Sequence, residues 1–192
     1  MRTLKVFESV SADGYFTGRD GDMTWAYAQS GSPEFQAFVE GNSRGDSTLV
    51  FGRVTYEMMA SYWPTPLAAQ QAPAVAKRMN EAEKLVASRT LTTLGWEHAR
   101  LLAGDAVAAL RTLKQGDGPP LVVLGSGTLV SALVAAGLVD ELQLVVKPVA
   151  IGGGRPLVEG LAAPLELRLA GSRAFPDGNV VLDWAPRRSV GA

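Results

Sequence analysis

The sequence predicts an α/β fold in which a mixed, mostly parallel central sheet carries helices on both faces. Short, continuously apolar runs alternate with helix-like segments along the 192 residues. Such runs are typical of strands buried on both faces, and the alternation of strand and helix indicates a parallel sheet. Near the C-terminus, the runs LELRL and VVLDW alternate apolar and polar residues on either side of a PDGN turn. That pattern predicts an antiparallel hairpin with one solvated face.

The individual elements follow from these patterns. We predict strands at 3–7, 48–51, 84–87, 121–124 and 141–146, with the hairpin strands 165–169 and 180–184 at the C-terminal edge of the sheet. We predict helices at 33–40, 53–60, 68–82, 106–115 and 128–136. No linker, internal repeat or low-complexity segment divides the chain. We therefore predict a single domain over residues 1–187, followed by a loose tail at 188–192.

Charge and composition exclude several classes of function. The formal net charge is −1 and no basic cluster is present, which argues against nucleic acid as a main partner. The chain has no cysteine, so disulfides, thiolate metal sites and a thiol nucleophile are excluded. With His98 as the single histidine, we predict no metal site. Because neither a signal peptide nor an apolar run of ~20 residues is present, we expect a cytoplasmic protein without a membrane segment.

A glycine turn joins a strand to a helix in the segment LVVLGSGTLVSALVAAG, residues 121–137. The turn permits a close backbone approach, and the free N–H groups of the following helix favour an anion. The segment lacks the third glycine of a dinucleotide-binding fingerprint, because Val130 stands at that position. From this turn alone, a phosphate site and a tight structural corner are equally good interpretations.

Two further strand ends carry polar groups. In LVFGRVTYEMM, Gly52 ends a strand and Arg53 lies in the first helical turn, where a cation opposes the helix dipole unless an anion is bound. The alternative is a surface arginine paired with Glu57 one turn later. In VASRT, Ser88 and Arg89 follow another strand, at the edge where open α/β sheets bind ligands. Together the three strand ends are suited to the phosphates of a dinucleotide.

These motifs, in this order, resemble those of the dihydrofolate reductase-like superfamily, in the branch of the bacterial riboflavin-biosynthesis reductase (RibD C-terminal-like) domain. The similarity covers nearly the whole chain and is carried by the segments SADG, LVFGRVTYE, KLVASRT, LVVLGSGTLVSALVAAGLVDEL and PVAIGGGRPL. The resemblance implies a three-layer fold with a C-terminal antiparallel hairpin, and NADPH as cofactor. It also implies a homodimer, because members of that branch often form one.

Carried over residue by residue, the resemblance implies a set of cofactor contacts at the strand ends and helix starts. It also implies that the loop containing SADG closes over the nicotinamide, with Asp13 as a catalytic residue. Asp13 is alternatively a turn-former, since Asp-Gly is a common turn. The implied cofactor contacts are Gly18, Gly52, Arg53, Thr55, Ser88, Arg89, Gly125, Ser126, Gly127 and Thr128.

The segment that follows the first strand departs from the family pattern. Folate reductases carry an acid on the first helix, and Glu34 is the nearest candidate here; it is alternatively a carboxylate that complements the helix dipole. The riboflavin reductases have a lysine after Ser-x-Asp-Gly, where this chain has Tyr15. We interpret Tyr15, Trp25 and Tyr56 as candidate substrate contacts.

The resemblance thus implies an NADPH-dependent reductase that transfers hydride to a C=N or C=O group. The implied substrate is pteridine-like or an aminopyrimidine-ribose, similar to 5-amino-6-(5-phosphoribosylamino)uracil. The expected partner is a small molecule, with no nucleic acid and no membrane. The alternative is an NADP(H)-binding protein without catalysis, which the uncertain position of the acid on the first helix favours.

Overall fold

The computed structural model describes residues 1–27, 31–43 and 45–187, and the predicted tail at 188–192 lies outside that part of the chain. The strands are β1 (Leu4–Ser11), β2 (Tyr15–Thr17), β3 (Thr48–Gly52), β4 (Lys84–Ala87), β5 (Ala99–Leu101), β6 (Leu121–Val123), β7 (Glu141–Lys147), β8 (Arg155–Pro156), β9 (Leu167–Ala174) and β10 (Val180–Pro186). The helices are α1 (Thr24–Tyr27), α2 (Pro33–Ser43), α3 (Arg53–Tyr62), α4 (Pro66–Gln71), α5 (Pro73–Glu81), α6 (Ala106–Gln115) and α7 (Gly127–Ala135).

The strands form one large sheet and one small one. The large sheet has 8 strands in the order β5-β4-β3-β6-β1-β7-β10-β9. All neighbours from β5 to β7 run parallel, and β10 and β9 continue the sheet in antiparallel pairs. β2 and β8 form a separate antiparallel pair. The predicted α/β class, the mixed sheet and the hairpin at its edge are therefore confirmed.

Helices cover both faces of the large sheet. Successive residues of a strand point to opposite faces, and accordingly Val50 and Phe51 of β3 belong to different apolar clusters. Val50 packs in the cluster that contains Leu133 of α7, whereas Phe51 packs in the cluster that contains residues of α3 and α5. Phe35 of α2 joins a third cluster with residues of β7 and β10. No helix in the described ranges has the length and apolar character needed to cross a membrane.

The structure corrects several predicted boundaries. β1 does not end at Phe7 but continues to Ser11. The helix predicted at 68–82 is two helices, because Pro73 lacks an N–H group and its ring would clash with the preceding turn. α5 begins at Pro73, the first helical position, where proline is tolerated. The sequence patterns do not predict β2, β5 and β8, which have only 3, 3 and 2 residues.

Candidate functional site

The C-terminal ends of four strands meet at one edge of the large sheet. In the order β4-β3-β6-β1 these strands are neighbours, and all of them are parallel. Helix α3 begins directly after β3, and α7 begins after a short turn that follows β6. Open α/β sheets bind ligands at this edge. The fold therefore brings together Gly52, Ser88 and the 125–127 turn, which the sequence motifs associate with a dinucleotide.

Helices α3 and α7 both begin without a side-chain cap. Gly52 and Ser126 are their N-cap residues, and neither supplies a side-chain hydrogen bond to its helix. By contrast, the side chains of Thr65 and Asp105 cap α4 and α6. The first N–H groups of α3 and α7 are therefore left for another acceptor, and the positive ends of both helix dipoles favour an anion. This set of donors fits the pyrophosphate group of a dinucleotide.

A close backbone approach holds the two helix starts together. The Gly52 N–H donates to the Gly125 carbonyl (3.4 Å), and a Cβ atom on Gly52 would overlap the Ser126 hydroxyl. Gly125 has a φ of 70°, which glycine adopts without strain. A Cβ atom on Gly125 would lie 2.6 Å from Thr55 Oγ1 and 3.1 Å from Glu8 Oε1. We call Glu8, Gly52, Thr55, Gly125 and Ser126 the strand-end cluster.

Glu8 is the ionisable residue of the strand-end cluster. It extends from β1 and is only 8% exposed. Burial raises the pKa of its carboxyl to about 8, although the neighbouring backbone N–H groups of Ser9 and Gly125 oppose the shift. Burial, together with the charge of Glu8, also raises the pKa of the Tyr27 phenol in α1 to about 12. At neutral pH, Glu8 is therefore mainly a neutral carboxylic acid.

The predicted phosphate-binding arginines differ in their partners. Arg53 forms an ion pair with Glu57 (2.8 Å) on the surface of α3, which is the alternative considered from the sequence. Arg89 is exposed, and across the described ranges it makes no hydrogen bond or ion pair. The Ser88 hydroxyl accepts the N–H of Leu91 (3.0 Å) and closes the turn after β4. The cofactor contacts assigned to Arg53, Ser88 and Arg89 remain predictions.

Asp13 links two loops. Its carboxylate accepts hydrogen bonds from the Ser11 hydroxyl (2.6 Å) and from the N–H groups of Ile151 (3.2 Å) and Gly152 (2.8 Å). The Ser11 hydroxyl, followed by the backbone donors, holds the pKa of Asp13 below its ordinary value. An exposed carboxylate with a lowered pKa has no proton to donate at neutral pH. Asp13 thus links two loops, and its catalytic role stays a prediction.

The segment after Asp13 leads into the small sheet. Tyr15 is half-buried in β2, and its N–H donates to the Ser11 hydroxyl (2.9 Å). Gly18 follows β2 and closes a turn in which its N–H donates to the Asp22 carbonyl (2.8 Å). Neither residue lies in the strand-end cluster. The substrate contact of Tyr15 and the cofactor contact of Gly18 stay predictions.

The small sheet packs against the start of α7. A Cβ atom on Gly127 would lie 3.4 Å from the Phe16 ring, so the helix and the small sheet approach closely at this glycine. The Arg155 guanidinium lies 3.4 Å from Thr128 Oγ1 and forms an ion pair with Glu159 (2.6 Å). The small sheet thus brings a cation to the first turn of α7, where the sequence motifs predict none.

The remaining predicted residues lie in three separate places. Tyr56 is a core residue: it is 4% exposed and its hydroxyl accepts the N–H of Trp96 (3.1 Å), and its assignment as a substrate contact stays a prediction. Trp25 is half-buried in α1, and its indole N–H donates to the Asp22 carbonyl (3.2 Å). Glu34 is exposed in the first turn of α2, without a hydrogen bond or ion pair to the part of the chain that the structure describes. The roles of Trp25 and Glu34 stay predictions.

Lys147 is a buried cation at the C-terminal end of β7. It is 6% exposed, and its Nζ lies 4.9 Å from the centroid of the Phe35 ring. Burial lowers the pKa of its ammonium group, and the charge of Asp177 partly offsets the shift. In the described residues no hydrogen bond or ion pair compensates the ammonium group. A buried cation of this kind marks a candidate binding position on the α2 side of the sheet.

The chain is similar to one protein family over most of its length. The model of the RibD C-terminal domain family matches residues 2–181. The chain belongs to this family. RibD C-terminal domains form a family of NADPH-dependent reductases.

The chain is 25% identical over 178 residues to YyaP of Bacillus subtilis (strain 168), an uncharacterized protein, with 92% of each chain covered. It is 26% identical over 179 residues to YwjB of the same organism, also uncharacterized, which covers 91% of this chain and 92% of YwjB.

Solved structures share the fold of this RibD C-terminal domain. A Shewanella sp. PV-4 protein provisionally assigned to riboflavin biosynthesis has a TM-score of 0.70 at 22% identity, covering 97% of this chain and 99% of the other. A pyrimidine reductase-like protein of Corynebacterium diphtheriae has a TM-score of 0.64 at 13% identity, covering 98% and 93%. Dihydrofolate reductase of Enterococcus faecalis, complexed with NADP(H), has a TM-score of 0.65 at 15% identity, covering 97% of each chain. These similarities confirm a dihydrofolate reductase-like fold.

Sequence reasoning missed Glu8, although the sequence contains a signal for it. Leu4, Val6, Glu8 and Val10 are alternate residues of β1, and the other three are buried in the main apolar cluster. A carboxyl at a position where the period-2 pattern places apolar residues is unusual. The predicted strand ended at Phe7, so Glu8 fell outside the pattern that would have revealed it. Glu8 of this chain is therefore a residue to test.

Proposed function

We propose that this protein is an NADPH-dependent reductase that transfers hydride to a C=N or C=O group. The substrate class is pteridine-like or an aminopyrimidine-ribose. The observation that carries the proposal is the pair of uncapped helix starts, at Gly52 and Ser126, on adjacent strand ends of a RibD C-terminal domain. Two helix N-termini at one sheet edge supply N–H donors and positive dipole ends for a pyrophosphate.

The cofactor, when bound, supplies the hydride, and the protein binds, orients and excludes water. In this proposal the first N–H groups of α3 and α7 bind the pyrophosphate. Arg89 is exposed at the end of β4 and carries the charge that distinguishes NADPH from NADH, because the 2′-phosphate is the anionic group that NADH lacks. The hydroxyl of Thr128 and the guanidinium of Arg155 lie at the first turn of α7 and complete the polar lining there.

Calorimetric titration with NADPH and with NADH tests the cofactor assignment. A charged hydrogen bond to the 2′-phosphate should favour NADPH by roughly 1.5–3 kcal/mol, which is about 10-fold to 150-fold in Kd. The variant Arg89→Ala should lose this preference while its affinity for NADH is unchanged. Arg111→Ala, which removes an exposed arginine on α6, is the matched control and should bind like the wild type. Failure of both nucleotides to bind would overturn the proposal.

The exposed position of Glu34 favours a second candidate, an NADP(H)-binding protein without catalysis. An acid that delivers a proton to substrate is expected to lie near the reacting atoms, and Glu34 lies on a helix that packs over β7 and β10. Oxidation of NADPH, followed by its absorbance against a panel of pteridines, aminopyrimidine ribosides and their phosphates, separates the two candidates. A substrate-dependent rate supports the reductase, whereas binding without turnover across the panel supports the second candidate.

The association into homodimers that the resemblance implies is a further part of the proposal. β9 is the outermost strand of the large sheet, and most of its residues are exposed. An exposed edge strand is available for pairing with a second copy. Sedimentation equilibrium should give twice the mass of one chain, and a single-chain mass would refute the dimer without affecting the cofactor assignment.

A further inference from the structure

Glu8 is a carboxyl in an environment that disfavours its charge. It belongs to the buried side of β1, between Val6 and Val10, which both pack in the main apolar cluster. The described residues place no lysine, arginine or histidine at ion-pair distance from it. An isolated carboxylate in such surroundings is strongly disfavoured, so the group takes up a proton. The protonated Glu8 carboxyl therefore holds one proton inside the protein.

The position of this proton is next to the proposed cofactor site. The backbone N–H groups of Ser9 and Gly125 lie beside the Glu8 carboxyl and favour its ionised form. Thr55 Oγ1 and Glu8 Oε1 lie on the same side of the Gly125 Cα, at 2.6 and 3.1 Å from the point a Cβ atom would occupy. Gly125 immediately precedes Ser126, the N-cap of α7. The carboxyl therefore contacts the turn that carries one of the two uncapped helix starts.

We propose that Glu8 is the proton-holding residue of the cofactor site, protonated beside the reduced cofactor and deprotonated beside the oxidised one. The inference rests on the proposed function. Reduced nicotinamide is neutral, whereas the oxidised ring carries a positive charge. In the proposed function the nicotinamide lies under the SADG loop, which directly follows β1, and a positive charge there favours the ionised form of the Glu8 carboxyl. Loss of hydride from the cofactor would therefore drive the loss of a proton from Glu8.

In the proposed step, hydride transfer to the substrate is accompanied by the transfer of a proton from Glu8. The hydride, which is one proton with two electrons, forms a bond to the carbon of the substrate's C=N or C=O group. The π electron pair of that group moves to nitrogen or oxygen, which takes up the proton released by Glu8. The cofactor is oxidised and the substrate is reduced. The Glu8 carboxylate then regains a proton from solvent after the oxidised cofactor leaves.

Several other titratable or charged groups lie on the elements around Glu8, and the variant Glu8→Gln separates its titration from theirs. Tyr27 on α1 has a pKa of about 12 and does not titrate near neutral pH. The elements in contact with the Glu8 strand or turn carry these further charged side chains: Lys5, Arg53, Glu57, Glu141 and Lys147. Arg53 and Glu57 form an ion pair with each other. On β7, Leu144 is the residue paired with Glu8 in the sheet, and Glu141 and Lys147 each lie three residues from it. Lys5 is three residues away on β1, and burial lowers the pKa of its ammonium group.

The test compares the binding of NADP⁺ and NADPH as a function of pH. Kd for each nucleotide is measured by calorimetry from about pH 6 to about pH 9, for the wild type, Glu8→Gln and Glu166→Gln. Glu166 is exposed and lies outside the strand-end cluster, so Glu166→Gln is the matched control. The 2′-phosphate titrates near pH 6 in both nucleotides, so its effect cancels in the ratio Kd(NADP⁺)/Kd(NADPH). In the wild type and Glu166→Gln, this ratio should fall about tenfold or more as pH rises, because one pKa unit of coupling is a factor of ten.

In Glu8→Gln the ratio should stay constant, since the amide does not ionise. A constant ratio in the wild type, or the same fall in Glu8→Gln, would overturn the inference and leave the cofactor assignment intact. Failure of the wild type to bind either nucleotide would overturn the proposed function and this inference with it.

A measurement on the wild type alone covers the case in which Glu8→Gln does not fold. Calorimetry near pH 7, in two buffers of different ionisation enthalpy, counts the protons that are released or taken up when each nucleotide binds. NADP⁺ binding should release more protons than NADPH binding, and equal counts would overturn the inference.

Discussion

Replacing Glu8 by glutamine should flatten the pH dependence of stability over a defined window. In the folded protein, burial raises the pKa of Glu8 from 4.5 to about 8, whereas in the unfolded chain the carboxyl returns to its ordinary value. Between these two values the folded protein holds a proton that the unfolded chain has lost. Unfolding then releases a proton, and the free energy of unfolding falls as pH rises. The stabilising effect is complete below the unfolded pKa and is lost as pH passes through about 8.

The magnitude follows from the size of the shift. One pKa unit corresponds to about 1.4 kcal/mol, so a rise from 4.5 to about 8 corresponds to about 5 kcal/mol across the window. Glutamine has nearly the shape of glutamic acid and is uncharged at every pH. It also keeps a polar oxygen beside the N–H groups of Ser9 and Gly125, so the local packing is preserved. The substitution therefore removes the titration while changing little else.

Urea unfolding of the cofactor-free protein, followed by circular dichroism from about pH 5 to about pH 8, measures the effect. The wild type should lose stability with a slope of about 1.4 kcal/mol per pH unit relative to Glu8→Gln. The control Glu166→Gln removes an exposed carboxyl and should run parallel to the wild type. If the curves of the wild type and Glu8→Gln are parallel, Glu8 ionises at the same pH in both states and the burial argument is refuted.

Three further substitutions test the site and its supports. Gly125→Ala should lower the free energy of unfolding by about 1–3 kcal/mol and weaken NADPH binding, because its Cβ would meet the Thr55 hydroxyl at a φ of 70°; urea unfolding and calorimetry check both. Lys84→Met should destabilise the protein by about 1–3 kcal/mol in urea, because the Lys84 ammonium group donates to three backbone carbonyls that would lose their donor. Lys147→Met should preserve or raise the melting temperature, because it replaces an uncompensated buried cation above the Phe35 ring with an apolar side chain; a clear fall would show that the cation is stabilising.

The sequence places the site correctly at one edge of the sheet. It predicts the chemistry of the site less well. Parallel strands direct their carboxyl ends to one edge, so the turns after β3, β4 and β6 had to lie together once the strands were recognised. Their order along the sheet, and the contact between Gly52 and Ser126, depend on long-range packing and needed the structure. Glu8 was missed because the strand was predicted to end at Phe7, four residues before the end of β1 at Ser11, and boundaries are the least certain part of a pattern.

Other differences between the predictions and the structure also have identifiable physical causes. The helix predicted across Pro73 followed the apolar period and neglected the steric effect of the proline ring, which divides it into α4 and α5. Tyr56 follows the motif Gly-Arg-x-Thr and so was grouped with the site, yet the helical rotation places it in the core beside Trp96. The partners of Asp13 lie at positions 151 and 152, and no local pattern connects residues so distant in the chain.

Asp13 and Glu8 show how environment assigns opposite roles to two carboxyls of one chain. Asp13 is exposed and accepts from a hydroxyl and two backbone N–H groups, so its pKa is lowered and it stays ionised as a link between loops. Glu8 is buried beside Gly125 without a cation, so its pKa is raised and it keeps a proton near neutral pH. Reduction of a C=N or C=O group consumes one proton for each hydride, and a side chain that is protonated at the working pH is suited to provide it. We therefore predict that the proton comes from Glu8 on β1, beneath the glycine turn, rather than from Asp13 in the Ser-x-Asp-Gly loop or from Glu34 on α2.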